Sequence, residues 1–227
     1  MGKHKHEAGK ILLEVSRAIS SSLDPDEVSR LYHKMKSLFL STVTSLTRAI
    51  NVKDSYTSGH SERVMKYALA IGREMVLDDQ ALENLGLASL LHDIGKIGVK
   101  ESILMKPAKL LGHERQQMRM HPDIGARIVE SIDGSNVMRR GIFEHHERYD
   151  GKGYPNRLKG DQISIEGRII AVADVFDALT TDRPYQKGDS EDYAFQKITR
   201  ESSSQFDPQV VAAFVISYKS HPEIWRK

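Results

Sequence analysis

Leu90-Leu91-His92-Asp93-Ile94-Gly95-Lys96-Ile97-Gly98 joins an apolar segment to a histidine–aspartate pair. Four apolar residues here have the i, i+3, i+4, i+7 spacing of a buried helical stripe, namely Leu87, Leu90, Leu91 and Ile94. The histidine and aspartate are therefore predicted on, or at the edge of, a buried face. A buried charge needs a partner or a metal. The pair is thus either a core histidine bonded to a neighbouring acid or part of a metal site.

The composition describes a soluble, globular chain of 227 residues, with 39% hydrophobic and 28% charged residues. A net charge of +2 gives no electrostatic reason to expect binding to a nucleic acid polymer or a membrane. The absence of cysteine excludes disulfides, thiolate metal sites and cysteine nucleophiles. No apolar run approaches the ~20 residues of a membrane span, and no signal-peptide core opens the chain. We therefore expect a cytoplasmic location without membrane insertion.

Helical periodicity recurs along most of the chain, and no alternating run is long enough for a sheet, so the predicted class is all-α. Asp24 and Ser164 are predicted N-caps, and Asp78-Asp79 is predicted to start a helix. Helices are predicted over residues 10–23, 25–50, 114–121, 137–148, 163–179, 190–202 and 207–219, with others starting near Thr57, Asp78 and Asp123. Pro122 is predicted to end the helix that carries His121.

The helix that follows Asp24 carries a short heptad-like apolar seam, formed by Val28, Leu31, Met35 and Leu38. Such a seam is typical of a dimerising or signalling helix, and equally of a helix that packs on its own domain. The sequence leaves both interpretations open.

Seven polar residues lie in or beside apolar helical stripes: His60, His92, Asp93, His121, His145, His146 and Asp174. Burying so many polar groups without partners would cost several kcal/mol each, whereas a pair of cations would satisfy them together. Nitrogen and oxygen ligands without sulfur favour iron, manganese, zinc, cobalt or nickel. Their number suits two ions about 3.5–4 Å apart.

Seven segments together resemble the signature of the HD-GYP domain, a branch of the HD phosphohydrolases. They are Tyr56–Val64, His92–Gly98, His121–Gly125, Glu144–Arg148, Asp150–Pro155, Ala173–Thr180 and Asp182–Tyr185. The resemblance implies an HD-type helical bundle over residues 45–227. Ahead of it, the residues themselves predict a helical extension at 10–44 and a tag-like or disordered start at 1–9. The resemblance also implies hydrolysis of cyclic di-GMP in bacterial signalling, to linear pGpG or onward to GMP.

The resemblance further implies how the ligands are shared. One ion would be held by His60, His92, Asp93 and Asp174, and the other by Asp93, His121, His145 and His146, with Asp93 bridging. Family members with three ions have a glutamate where this chain has Tyr56, so we expect two ions. Iron or manganese is common in the family, and zinc, cobalt or nickel would also suit the ligands.

Asp93 and Lys96 are the expected catalytic residues. The expected substrate contacts are Lys96, Gly153, Tyr154, Pro155, Asp177, Arg183 and Lys187. Three of these have a second interpretation. Lys96 would contact the phosphate or pair with Asp93, Arg183 would clamp phosphate or pair with Asp177, and Tyr154 would contact the ligand or anchor its loop. A basic residue common after the Arg-Pro-Tyr motif is replaced by Gln186, with Lys187 next.

Two rival functions remain open: an HD-type hydrolase of another nucleotide, and a catalytically weak receptor or adaptor for cyclic di-GMP. The chain has no Gly-x-Ser-x-Gly segment of a serine hydrolase and no P-loop. The expected partners are the small-molecule substrate, a second copy joined through the N-terminal helices, and an upstream sensor or a diguanylate cyclase-type protein.

Overall fold

The computed structural model describes residues 24–51, 59–132, 134–182 and 187–226. Within these ranges the chain is helical and contains no strand, which confirms the all-α class. The helices are α1 (Pro25–Asn51), α2 (His60–Glu74), α3 (Asp79–Leu91), α4 (Glu101–Leu104), α5 (Gly112–Met118), α6 (His121–Ile128), α7 (Asn136–Glu144), α8 (Ile165–Thr180), α9 (Glu191–Arg200), α10 (Pro208–Ser220) and α11 (Pro222–Trp225), with 3-10 turns at Ile94–Gly98 and Gly160–Gln162. The predicted helix at 10–23 and the restart near Thr57 lie outside the described residues.

The chain divides into two compact units, residues 1–45 and 46–227. The described part of the first unit is the helical segment that opens α1. Its start is as predicted, because the Asp24 carboxylate accepts a hydrogen bond from the Asp26 N–H at 3.1 Å. The seam residues of this segment are exposed: 45% for Val28, 49% for Leu31, 65% for Met35 and 67% for Leu38.

The second unit is organised around α8, which contacts α2, α7, α9 and α10. Its inward residues are fully buried, among them Ile169, Val172 and Phe176. Each such side chain contributes about 1.5–3 kcal/mol by leaving water. An aromatic cluster extends this core, in which Tyr67 stacks on Trp225 at 4.8 Å between ring centroids and Phe176 meets Trp225 edge-on at 5.0 Å.

Side-chain caps set where two helices of this core begin, as the sequence predicted. Asp78 accepts a hydrogen bond from the Ala81 N–H at 2.7 Å and starts α3. Ser164 accepts one from the Gly167 N–H at 3.2 Å and starts α8. These oxygens satisfy backbone donors that have no partner inside the first helical turn.

Three helices end or begin at other residues than the sequence predicted. The helical stripe predicted from Leu87 to Ile94 is interrupted, because the helix ends at Leu91 and His92 and Asp93 follow it, before a 3-10 turn. Pro122 does not end a helix; it lies in the first turn of α6, where its missing N–H would have had no partner anyway. The helix expected through Arg148 ends at Glu144, so His145 and His146 occupy a turn.

A membrane span needs a long apolar helix. None of the helices in the described ranges meets that requirement.

Candidate metal centre

The seven predicted metal ligands converge on one region, and six of them lie at helix ends. His60 and His121 are the first residues of α2 and α6. His92 and Asp93 directly follow α3, and His145 and His146 directly follow α7. Asp174 projects from the middle of α8. Packing of these helices against one another therefore brings residues that are distant in sequence to the same place.

The first group of ligands consists of His60, His92, Asp93 and Asp174. The Nε2 atom of His60 lies 3.3 Å from Nε2 of His92 and 3.3 Å from Oδ1 of Asp174. Oδ2 of Asp93 lies 3.7 Å from the His60 nitrogen and 3.5 Å from the His92 nitrogen. All four polar atoms therefore face a common point.

The second group consists of His121, His145, His146 and the other oxygen of Asp93. Nε2 of His121 lies 3.3 Å from Nε2 of His145 and 3.3 Å from Oδ1 of Asp93. Ligand atoms of the three histidines lie within 4.8 Å of one another. Asp93 thus directs one carboxylate oxygen toward each group.

Backbone carbonyls orient three of the imidazoles. The Nδ1 atoms of His92, His121 and His145 each donate to the carbonyl three residues earlier, at 2.7, 2.8 and 2.7 Å. Because a carbonyl only accepts, each Nδ1 carries the proton. Each Nε2 consequently presents a lone pair toward the centre, as a metal ligand requires.

His60 is oriented by a carboxylate. Asp177 accepts from His60 Nδ1 at 2.7 Å and from Arg63 Nε at 2.6 Å, and it is 1% exposed. Both of its oxygens are engaged and hidden from solvent. Asp177 therefore orients His60, and the cation that it pairs with among the described residues is Arg63. Its expected contact with substrate stays a prediction.

Burial keeps three histidines neutral. It lowers the pKa of His145 well below its ordinary value and the pKa of His146 to about 3, with neighbouring imidazoles adding to both shifts. Burial also lowers the pKa of His121, more than the nearby Asp93 carboxylate raises it. Neutral imidazole is the ligand form of histidine, so this group is ready to bind a cation near neutral pH.

The carboxylates of the centre stay ionised. Burial disfavours the charge of Asp93, but Lys96 and the surrounding imidazoles outweigh it and hold its pKa well below the ordinary value. For His60, burial acts against protonation, but hydrogen bonds to Asp174 and Asp177 outweigh it and raise the pKa to about 9. A cation entering the first group therefore takes the place of a proton.

The donor geometry fits metal ions. Two ligand nitrogens at about 2.0–2.1 Å from one tetrahedral ion lie roughly 3.3 Å apart. The facing Nε2 pairs, His60 with His92 and His121 with His145, have that separation. Two nitrogen lone pairs that face each other at this distance repel unless a cation or a proton lies between them. Both groups consist of nitrogen and oxygen donors, which suit divalent cations.

Lys96 lies beside the shared carboxylate, with Nζ 2.7 Å from Oδ2 of Asp93. It comes from the 3-10 turn rather than from a continuous helix. Its side chain is 21% exposed, so the ammonium group borders both the ligands and solvent.

The Gly-Tyr-Pro loop packs directly on the second group. Tyr154 stacks on His146 with ring centroids 4.8 Å apart, and its N–H donates to the His146 carbonyl at 3.2 Å. A Cβ at Gly153 would lie 2.4 Å from the Arg148 nitrogen, so only glycine allows this approach. Pro155 follows Tyr154 through a cis peptide bond.

Glu147 anchors this loop, and the sequence reasoning assigned it no role. Its buried carboxylate accepts from the N–H groups of Asn156 at 2.6 Å and Leu158 at 3.1 Å. Burial raises the pKa of Glu147, against the effect of those hydrogen bonds. The one sequence feature that could have indicated this role is the position of Glu147 directly after His146, a predicted ligand.

One of the expected substrate contacts lines a different cavity from the one beside the Gly-Tyr-Pro loop. Lys187 lines a cavity of about 320 Å³ together with Lys197 and Gly188. Arg183 lies outside the described residues, as does Tyr56, on which the expected number of ions rests.

Comparison with known proteins places these features in a family. The HD domain family matches residues 44–210. A cyclic di-GMP phosphodiesterase of Pseudomonas aeruginosa is 38% identical over 207 residues, which is 90% of this chain and 50% of the relative. The 3′3′-cGAMP-specific phosphodiesterase 3 of Vibrio cholerae is 39% identical over 171 residues, covering 75% of this chain and 37% of the relative.

Among solved structures, a cyclic GMP-AMP-specific phosphodiesterase of Vibrio cholerae has the same fold, with a TM-score of 0.58 at 21% identity, over 80% of this chain and 50% of that one. The bundle and its buried cluster define a class of helical proteins with a histidine–aspartate metal site. The chain belongs to the HD domain family, and the HD-GYP resemblance of its motifs is confirmed. It spans half the length, or less, of the curated relatives described above.

Proposed function

We propose that this chain is a metal-dependent phosphodiesterase that hydrolyses cyclic di-GMP to linear pGpG. The observation that carries the proposal is the position of Asp93, whose two oxygens face two separate groups of histidines. Such a carboxylate supports a pair of neighbouring cations, the arrangement of two-metal phosphoester hydrolases. The named activities of the relatives from Pseudomonas aeruginosa and Vibrio cholerae support the same reaction class.

His60, His92, Asp93 and Asp174 would hold one ion, and His121, His145, His146 and Asp93 the other. We propose two ions, with iron or manganese as the first candidates. When bound, such ions activate water and polarise the phosphoryl group. The protein residues orient the ligands: backbone carbonyls and Asp177 fix the imidazoles, and the Gly-Tyr-Pro loop packs on one side of the centre.

Lys96 is the proposed contact for the phosphoryl or leaving oxygen. Its ammonium group is anchored beside Asp93 and partly exposed, so it offers a positive charge where negative charge develops. Gly153, Tyr154 and Pro155 are proposed to bound the substrate, and Arg183 and Lys187 stay predictions as further contacts.

Anaerobic purification followed by loading with Fe²⁺ or Mn²⁺ would test this function. We expect elemental analysis to find two ions per chain and chromatography to show conversion of cyclic di-GMP to pGpG, abolished by a chelator. Asp93→Asn should lower kcat by at least about 100-fold, because it removes a charge shared by both groups. The exposed Asp161→Asn serves as the matched control. Ligand binding without turnover, with every metal tried, would instead identify a receptor.

A second substrate, 3′3′-cGAMP, is supported by the relative of 39% identity whose name specifies it. The two cyclic dinucleotides differ in one base, so the metal centre treats their phosphodiester bonds alike. Parallel assays of both compounds, with pGpG and simple nucleotides alongside, would assign the substrate by the ratio of kcat/KM values. Turnover of simple nucleotides alone would favour the rival hydrolase.

We also propose that residues 10–44 form an extension through which two copies associate, ahead of a catalytic domain at 45–227. Val28, Leu31, Met35 and Leu38 present an exposed apolar row at 3–4 residue spacing, which a second copy would cover. We expect a dimer mass by light scattering, reduced to a monomer mass by Leu38→Glu and unchanged by Ser37→Glu on the same helix. Equal masses for all three proteins would contradict the proposal.

A further inference from the structure

A cationic cavity is lined in part by the Gly-Tyr-Pro loop. Its volume is about 490 Å³, within the range of small-ligand sites. The lining residues are Arg119, Gly151, Lys152, Gly153, Tyr154, Pro155 and Arg157. Among these described residues, three are cationic and none is acidic. The cavity therefore suits an anionic ligand that also presents an apolar or aromatic surface.

Arg119 connects this cavity to the metal centre through one aromatic ring. Its guanidinium carbon lies 4.9 Å from the centroid of the Tyr154 ring, within the range of a cation–π contact. The same ring stacks on His146 at 4.8 Å. A group bound at Arg119 would thus lie one aromatic side chain away from a proposed metal ligand.

The backbone of Arg157 is held in an unusual conformation at the cavity wall. Its φ is +56°, in the left-handed region that non-glycine residues rarely adopt. The buried Glu147 carboxylate accepts from the N–H groups of Asn156, Arg157 and Leu158 and so fixes this turn. Backbone strain maintained by a buried group is concentrated at functional sites.

Lys152 is less available than the two arginines. Its Nζ lies 3.8 Å from Oδ2 of Asp150, a carboxylate that also accepts from Arg148 at 2.9 Å. Arg119 and Arg157 offer planar guanidinium groups, which bind phosphate through two parallel hydrogen bonds.

We infer that Arg119 and Arg157 bind the phosphate of a cyclic dinucleotide that is not being cleaved, a specificity role that rests on the proposed function. A cyclic dinucleotide carries two phosphodiester groups, and the metal centre accounts for one. The second is an anion on the same ring, and a guanidinium group close to it would stabilise it. The cavity supplies two guanidinium groups beside the loop that borders the centre.

The test compares two substrates in the metal-loaded protein. Cyclic di-GMP requires both phosphate sites, whereas bis(p-nitrophenyl) phosphate carries a single phosphodiester and requires only the metal centre. Arg119→Met and Arg157→Met remove the guanidinium groups without altering the loop glycines. Arg200→Met, which removes an exposed arginine from α9, is the matched control.

We expect each cavity variant to raise KM for cyclic di-GMP by roughly 10- to 100-fold, the loss of one charged hydrogen-bonding partner. Turnover of bis(p-nitrophenyl) phosphate should stay within about twofold of the wild type, as should both activities of the control. Added salt should raise the wild-type KM more than that of the variants, because screening weakens the guanidinium–phosphate attraction.

Three results would overturn the inference, and they differ from one another. An unchanged KM in both variants would remove the phosphate role and leave the proposed function standing. A parallel loss of both activities would show that the arginines support the fold or the centre instead. Wild-type turnover of bis(p-nitrophenyl) phosphate without turnover of either cyclic dinucleotide would overturn the proposed function together with this inference.

Discussion

Asp177 is a buried residue that orients the proposed metal ligand His60 without being a ligand itself. It accepts from His60 Nδ1 and from Arg63, so it fixes the imidazole with Nε2 directed toward the centre. Asp177→Asn would keep the shape but lose the charge. We expect metal affinity to fall by about 10- to 100-fold.

The measurement is a titration of the apo protein with Mn²⁺, followed by activity against metal concentration. If Asp177 acts by positioning, kcat should recover largely at saturating metal, whereas direct substrate contact would leave KM raised at every metal concentration. Asp161→Asn provides a control for loss of one carboxylate at an exposed position.

Glu147 has a comparable role for the Gly-Tyr-Pro loop. Glu147→Gln would place an amide N–H₂ group against backbone N–H donors and leave at least one of them without an acceptor. We expect unfolding free energy to fall by about 1–3 kcal/mol and KM for the cyclic dinucleotide to rise, with metal content unchanged. Urea denaturation, steady-state kinetics and elemental analysis check the three parts, and a loss of metal would contradict this assignment.

At this scale the sequence indicated residue types better than residue roles. The seven ligands could be proposed from histidines and acids in apolar stripes, and the structure brings them together. The roles of Asp177, Arg63 and Glu147 depend on hydrogen bonds between residues that lie up to 117 positions apart in the chain, which periodicity does not encode.

Between elements, Gly95 allows two backbone segments to approach each other closely. A Cβ on Gly95 would lie 1.9 Å from the His121 carbonyl oxygen and 2.5 Å from the Gly125 nitrogen. Backbone atoms on both sides leave nothing flexible to move aside. The 3-10 turn after Asp93 therefore packs directly on α6, which carries His121.

Gly95→Ala should consequently force these two segments apart. We expect a loss of about 3 kcal/mol or more of unfolding free energy, at or above the upper end of ordinary overpacking, together with loss of metal binding. Gly112→Ala is the matched control, because a Cβ there meets nothing within 4 Å. Thermal unfolding of the two variants side by side makes the comparison, and equal stability would refute the argument.

Element starts were more predictable than element ends. Asp24 and Ser164 are local signals, since a side-chain oxygen satisfies an N–H two or three residues later, and both caps form as predicted. The helices that end at Leu91 and Glu144 stop directly before His92 and His145, whose side chains face the centre. The direction of those side chains depends on tertiary contacts, which local sequence does not show. Pro122 was wrongly predicted to end a helix, because proline is common both just after one helix and in the first turn of the next.

At the scale of the whole molecule, the centre is both the site and part of the core. α2, α3, α6, α7 and α8 each direct ligands to it, and several of those side chains are almost fully buried: His92 at 0%, His145 at 1% and His121 at 2%. Without cations, the ligand atoms of these acids and imidazoles would face one another in a confined volume. Ions would therefore join the helices as well as serve the reaction.

Metal removal should for this reason lower the stability of the entire second unit. A ligand that binds only the folded state at 100 times its Kd contributes about 2.7 kcal/mol, and a domain of this size shifts by roughly 2–4 °C per kcal/mol. We expect chelation to lower Tm by roughly 5–10 °C and Mn²⁺ or Fe²⁺ to restore it. In Asp93→Asn the difference between loaded and chelated protein should shrink, because the shared carboxylate is lost. A full-sized shift in that variant would mean that the ions bind elsewhere.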